Sequence, residues 1–188
     1  MCGALRHVLV SLLFAPSIAL GIDCDALGEH VGYPCRKSVA AGKEGRNELY
    51  LSGYAHHDRR TYDTDRIHQL NENARGLGLA RSIEEPDGNA HAVYVLAFRD
   101  SHFKLQTAIG YQWQVYWHFT TDLKAGVGVT AFLFSRSDMA HYFPLPFALP
   151  VVSLGYGRAT LYGTFIPKAS RTAGGNGNVG YLFAGFRF

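Results

Sequence analysis

The chain has 188 residues, enough for one domain, and carries a formal net charge of +3. It has no basic run dense enough to mark a nucleic-acid-binding protein. Aromatic residues at 13% together with 21 glycines favour β-structure with close-packed corners over a helical bundle.

Residues 1–21 read as a secretory signal peptide. Arg6 and His7 form a short positive start, Val8 to Leu20 is apolar apart from Ser11, Pro16 and Ser17, and Ala19-Leu20-Gly21 offers small residues at the cleavage site. The apolar run is too short and too interrupted by proline to span a bilayer as a helix. Nothing before Cys24 resembles a lipoprotein box, so no lipid anchor is expected. Cys2 leaves with the leader. Cys24 and Cys35 remain in an oxidising compartment, and a disulfide between them is expected.

Residues 22–46 mix Gly, Pro and charge around a weak apolar stripe, which suits a periplasmic segment with at most a short surface helix. From residue 47 the pattern becomes strand-like, and residues 47–188 are read as the main domain. Eight strands are predicted: Glu48–His57, Arg75–Glu84, Asn89–Arg99, Lys104–Phe119, Asp122–Ser135, Phe147–Tyr156, Arg158–Ile166 and Asn178–Phe188. In the fourth, Leu105, Thr107, Ile109, Tyr111, Trp113, Val115 and Trp117 share one face. Gln106, Ala108, Gly110, Gln112, Gln114 and Tyr116 share the other. In the fifth, Ala125, Val127, Val129, Ala131 and Leu133 face one way and Gly126, Gly128 and Thr130 the other. In the second, Gly76, Gly78, Ala80 and Ser82 line one face. An apolar face for lipid and a small or polar face for a crowded lumen describe a transmembrane strand.

The connections alternate in length. Glu85–Gly88, Thr120-Thr121 and Tyr156-Gly157 are tight, whereas Asp58–Ala74, Asp100–Phe103, Arg136–Pro146 and Pro167–Gly177 are longer. The fold expected is all-β, an eight-stranded antiparallel transmembrane β-barrel in an outer membrane, monomeric. A lipocalin-like soluble barrel is the rival, but it would turn its apolar face inward. With both termini periplasmic, odd-numbered strands run outward. His57, Asp100 and Ser101 then meet at the outer rim. A His, an Asp and a Ser together suit acid–base or acyl-transfer chemistry, although these residue types are also common in surface loops. No metal site or cofactor is expected, because the remaining histidines show no ligand spacing.

Seven segments, "HDRRTYDTDRIHQLNE", "GLGLAR", "AFRDS", "AIGYQW", "PLPFALPVVSLGYG", "TFIP" and "NGNV", stand in order between Leu51 and Phe188. Together they resemble the lipid A palmitoyltransferase family of Gram-negative outer membranes, PagP. The resemblance implies a tilted eight-stranded barrel with an N-terminal helix. It also implies transfer of a palmitoyl chain from the sn-1 position of a phospholipid donor to a hydroxyl on a lipid A acyl chain. Counting back from Tyr62 and from Asn71 makes His57, not His56, the family's required histidine, and Asp100-Ser101 matches its Asp-Ser pair. On that reading His57 is the general base on the lipid A hydroxyl and Asp100 orients its ring. Ser101 either donates to the ester oxyanion or is acylated itself. Arg66 matches a basic residue that aids lipid A recognition.

The resemblance further implies lateral lipid gates where prolines interrupt strand pairing. Pro150 and Pro167 match one gate. The prolines of a second are missing, with Ser52 and a deletion near Asn73 in their place. Gln112 stands where the family has a glycine at the floor of the acyl pocket, so a shorter or less strictly measured chain is expected. The alternatives to an enzyme are a non-catalytic lipid-binding barrel of the outer membrane and a soluble periplasmic lipid carrier.

Overall fold

A strand whose alternate residues are apolar must bury or cover that face, and here eight such strands close on one another. The computed structural model describes residues 23–62, 64–137, 140–168 and 177–188, with the Arg66 side chain excepted. The expected leader, residues 1–21, lies outside the described residues. The chain begins with a 3-10 turn (Asp25–Leu27) and helix α1 (Glu29–Glu44), followed by β1 (Arg46–His57) and a single helical turn, α2 (Thr64–Ile67). Then come β2 (Gly76–Glu84), β3 (Asn89–Arg99), β4 (Leu105–His118), β5 (Leu123–Ser135), β6 (Leu145–Tyr156), β7 (Ala159–Ile166) and β8 (Val179–Arg187). Every strand pairs antiparallel with its sequence neighbours, and β8 returns to β1 to close the barrel.

The predicted faces are the observed ones. In β4, Gln106, Ala108, Gln112, Gln114 and Tyr116 are buried, whereas Leu105, Ile109 and Trp117 are exposed. Ile109 is 61% exposed against 4% for Gln112. Leu51, Leu77, Val95, Val127, Val129, Leu133, Val152, Leu154, Leu161 and Leu182 continue the apolar outer wall. Such a wall is costly in water, at about 25 cal/mol per Å², and is at home in a bilayer.

Helix α1 is longer than the weak apolar stripe implied, at 16 residues. It lies against β2 and β3 near the short turns. Ala41 is fully buried, Lys37 pairs with Glu85, and the Arg81 guanidinium donates to the carbonyls of Lys43 and Gly45 at the helix end. The Glu85 carboxylate bonded to Lys37 raises that ammonium's pKa. Cys24 and Cys35 form a disulfide, as expected, with Cα atoms 5.6 Å apart, and it ties the 3-10 turn to α1. A local sequence window misses α1 because the wall of the barrel, rather than its own periodicity, supports it.

The lumen has two halves. Toward the long loops it is lined by an apolar cluster of Tyr50, Leu96, Phe98, Val151, Tyr162, Tyr181 and Phe183, with Tyr162 and Phe183 stacked at 4.8 Å. Toward the short turns it opens into a polar cavity of about 530 Å³, lined by Glu48, Glu84, Lys124, Thr160 and Arg187 among others. Lys124 pairs there with Glu84 and lies 3.9 Å from the Tyr116 ring centroid. Gln112 and Gln114 separate the two halves. Beside them the Tyr94 hydroxyl is 2.7 Å from Thr130 Oγ1. Gly110 permits that crossing, because a Cβ there would lie 2.8 Å from Tyr94 Cζ.

Candidate active site

Two ladders stop before the long-loop rim. Pairing of β1 with β2 ends at Ser52 and Gly76, and pairing of β6 with β7 ends at Val151 and Thr164. Above the second break stand Pro150, one residue past the stretch of β6 paired with β7, and Pro167, just past β7. Pro150 has no N–H to extend the ladder. Its carbonyl instead accepts a hydrogen bond from Thr164 Oγ1 at 2.7 Å. The first break is bridged. Ser52 Oγ donates to the Ala74 carbonyl and the Ala55 N–H donates to the Glu72 carbonyl at 2.9 Å, while Tyr181 of β8 donates to Ser52 Oγ from the lumen at 2.6 Å. The missing prolines of the second expected gate therefore coincide with a seam closed by hydrogen bonds.

His57 is the last residue of β1 and is 2% exposed. Asp100, immediately after β3, is equally buried, and Ser101 is half-buried in the turn that follows. Alternation along two strands that both run toward the long loops brings them to one rim, as the sequence predicts. The segment Asn71-Glu72, in the loop between β1 and β2, ties them together. The Asn71 carboxamide donates to the Asp100 carbonyl at 3.1 Å, and its backbone N–H donates to the Ser101 carbonyl at 2.9 Å. Glu72 holds the histidine: its Oε1 accepts the His57 N–H at 2.9 Å and lies 3.3 Å from Nδ1. The Tyr62 ring packs edge-on to the imidazole, with centroids 5.1 Å apart.

The expected orienting role of Asp100 is not what the geometry shows. Among the described residues no hydrogen bond joins Asp100 to His57. Asp100 Oδ1 is taken up in its own turn by the N–H groups of His102 and Lys104, each at 2.8 Å. Among the described residues Oδ2 has no hydrogen-bond partner, and it forms an ion pair with Arg136 Nε at 3.5 Å. A short polar side chain after a strand closes its own turn readily, and that local bond competes with one to a distant ring. Arg136 also approaches His102, with Nη2 at 3.1 Å from Nδ1.

Arg59 grips Glu72 with both ends of its guanidinium, at 2.5 Å to Oε1 and 2.9 Å to Oε2, and Tyr54 donates to Oε2 at 2.7 Å. The Arg59 fork is the largest influence holding the Glu72 carboxyl well below the usual carboxylate range, so it is ionised at neutral pH. Arg66 belongs to α2 in the same loop, and its side chain lies outside the described residues. Gln112 points into the lumen as expected. Its Nε2 donates to Gln114 Oε1 at 3.1 Å, Tyr116 donates to the same oxygen at 2.9 Å, and Gln114 donates to Ser153 at 3.0 Å. The buried amide therefore has the partner it requires.

Residues 39–185 match the family model described as "Antimicrobial peptide resistance and lipid A acylation protein PagP". The chain belongs to the PagP family. A PagP relative from Bordetella bronchiseptica named "Lipid A acyltransferase PagP" is 40% identical over 183 residues, covering 97% of both chains. PagP of Bordetella pertussis strain Tohama I, with the same name, is 39% identical over 97% of both chains. PagP of Legionella pneumophila strain Paris, also so named, is 36% identical over 91% of this chain and 95% of its own.

Glu72 and Asn71 are the residues that the sequence reading passed over. Both lie inside a segment that carries the family resemblance, but their roles depend on contacts across a loop that no strand period reveals.

Proposed function

We propose that the long-loop rim is the active site at which this PagP protein, a lipid A acyltransferase of the outer membrane, moves a palmitoyl or similar chain from the sn-1 position of a phospholipid to a hydroxyl of lipid A. The observation that carries the assignment of the site is the convergence at one rim of a buried histidine held by a carboxylate and an Asp-Ser pair. Helix α1 and Phe188 lie at the short-turn side, and the rim faces the outer leaflet when that side is periplasmic.

The chemistry is an ester exchange. His57 Nε2 takes the proton of the lipid A hydroxyl as its oxygen forms a bond to the ester carbonyl carbon. The tetrahedral oxyanion accepts a hydrogen bond from the Ser101 hydroxyl. On collapse, the bond to the glycerol oxygen breaks and that oxygen leaves with the proton from the imidazolium, giving a lysophospholipid and acylated lipid A. Arg66, in the first long loop, engages the lipid A phosphates by charge-assisted contacts. The gap beside Pro150 and Pro167 admits lipid from the bilayer. The donor chain descends among the aromatics toward Gln112, which sets its depth. No further protein subunit is required.

The test is the mass of lipid A from cells producing the protein or its His57→Ala, Asp100→Ala and Ser101→Ala variants. Each variant should give a folded, heat-modifiable barrel and no added acyl chain. Lipid A left unmodified by the wild-type protein would favour a lipid-binding barrel without turnover.

A further inference from the structure

We propose that Glu72 is the positioning residue of the reaction, fixing the tautomer of His57 so that Nε2 is the bare, proton-accepting nitrogen; this rests on His57 being the general base. Arg59 binds both carboxylate oxygens of Glu72 and Tyr54 binds one, so Glu72 is ionised and can only accept hydrogen bonds. Its Oε1 lies 3.3 Å from His57 Nδ1. An imidazole nitrogen facing an acceptor-only group must carry the proton, so the neutral ring has Nδ1–H and a free lone pair on Nε2.

The ring is also held against rotation. The His57 backbone N–H donates to the same Oε1 at 2.9 Å, and Tyr62 packs edge-on to the ring. Arg59 donates to the His57 carbonyl at 2.6 Å, closing a loop of contacts from backbone to carboxylate to ring. When Nε2 takes the substrate proton, the charge that appears on the imidazolium faces the carboxylate. Asp100, the other acid at this rim, gives Oδ1 to backbone N–H groups of its own turn and holds Oδ2 3.5 Å from Arg136 Nε. Arg59 thus keeps the anion in place and Glu72 acts through His57, with neither touching the reacting atoms.

Two measurements test this. The first uses the unaltered protein in detergent micelles, labelled with ¹⁵N-histidine and observed where the ring is neutral, with the His57 signals assigned by their loss in His57→Asn. The expected result is a protonated Nδ1 and an unprotonated Nε2; a ring carrying its proton on Nε2 overturns the proposal. The second is kinetic. Glu72→Gln keeps the size of the side chain and removes its charge, and kcat should fall by at least about tenfold, with KM for donor and acceptor nearly unchanged. A kcat within about twofold of wild type in a folded Glu72→Gln barrel overturns it. If Glu72→Gln does not fold, the tautomer in the unaltered protein decides alone. Full activity in His57→Ala would sink the catalytic reading itself. An inactive His57→Ala beside a fully active Glu72→Gln would sink only the role given to Glu72.

Discussion

Gln112→Gly should lengthen the acyl chain that the enzyme prefers. Gln112 is 4% exposed, points into the lumen from β4 and stands between the aromatic half and the polar cavity. Removing its side chain leaves room for about three methylenes at interior packing density. At about 0.8 kcal/mol per buried methylene, that is roughly 2.4 kcal/mol, or about fiftyfold in favour of the longer chain. This is an upper bound, because Tyr94 still reaches Thr130, the residue paired with Gln112 across β4 and β5. The variant also loses the hydrogen bond to Gln114, worth about 1 kcal/mol, and gains the backbone freedom of glycine, which costs about 0.5–1 kcal/mol. Both losses weaken the barrel equally for every substrate and leave selectivity unaffected. The assay presents phospholipids of mixed chain length and reads the mass added to lipid A. A folded Gln112→Gly enzyme with an unchanged chain distribution would show that Gln112 is not the floor.

Asn71→Ala removes one side chain that bonds both the Asp100 and Asn73 carbonyls, so it should lower stability by about 1–3 kcal/mol and depress activity, read by thermal unfolding and lipid A mass. Protein taken from the envelope and denatured without reductant should show no alkylatable thiol at Cys24 or Cys35; labelling of both would contradict the disulfide. Replacing Pro150 with Ala restores a backbone donor at the break between β6 and β7 and should slow transfer, measured as initial rate with phospholipid vesicles; an unchanged rate would argue against lipid entry there. Glu72 has a folded pKa depressed below its ordinary value of 4.5, chiefly by Arg59, so its contribution to stability is complete above that value and is lost as pH falls through the folded one. The stability difference between wild type and Glu72→Gln should therefore not shrink between about pH 8 and pH 5 and should shrink only below; a difference that already shrinks near pH 6 would refute the sign.

The strands were legible because alternation repeats every two residues and the turns punctuate it. Asn89–Arg99 is observed with the bounds predicted, and the other strands shift by only a few residues at their ends. The rim residues His57, Asp100 and Ser101 were legible from topology, since two strands running the same way deliver them to one end. Glu72 was not, because its partners Tyr54, His57 and Arg59 lie 13 to 18 positions away across an irregular loop. The bond between Tyr94 and Thr130 was hidden for a related reason. It spans β4 over Gly110 and depends on the order of strands around the barrel, which local periodicity does not encode. Asp100 was assigned a partner across the rim because acids beside histidines so often orient them. Its own turn offered two N–H groups at closer range.

The central claim is that the long-loop rim acylates lipid A through His57. It is met most directly by mass spectrometry of lipid A from a strain lacking its own acyltransferase of this kind, producing either the wild-type protein or His57→Ala at equal, heat-modifiable levels. The wild-type protein should add one acyl chain to lipid A, and His57→Ala should add none. An equal added mass in His57→Ala, or activity lost in His56→Ala instead, would contradict the account.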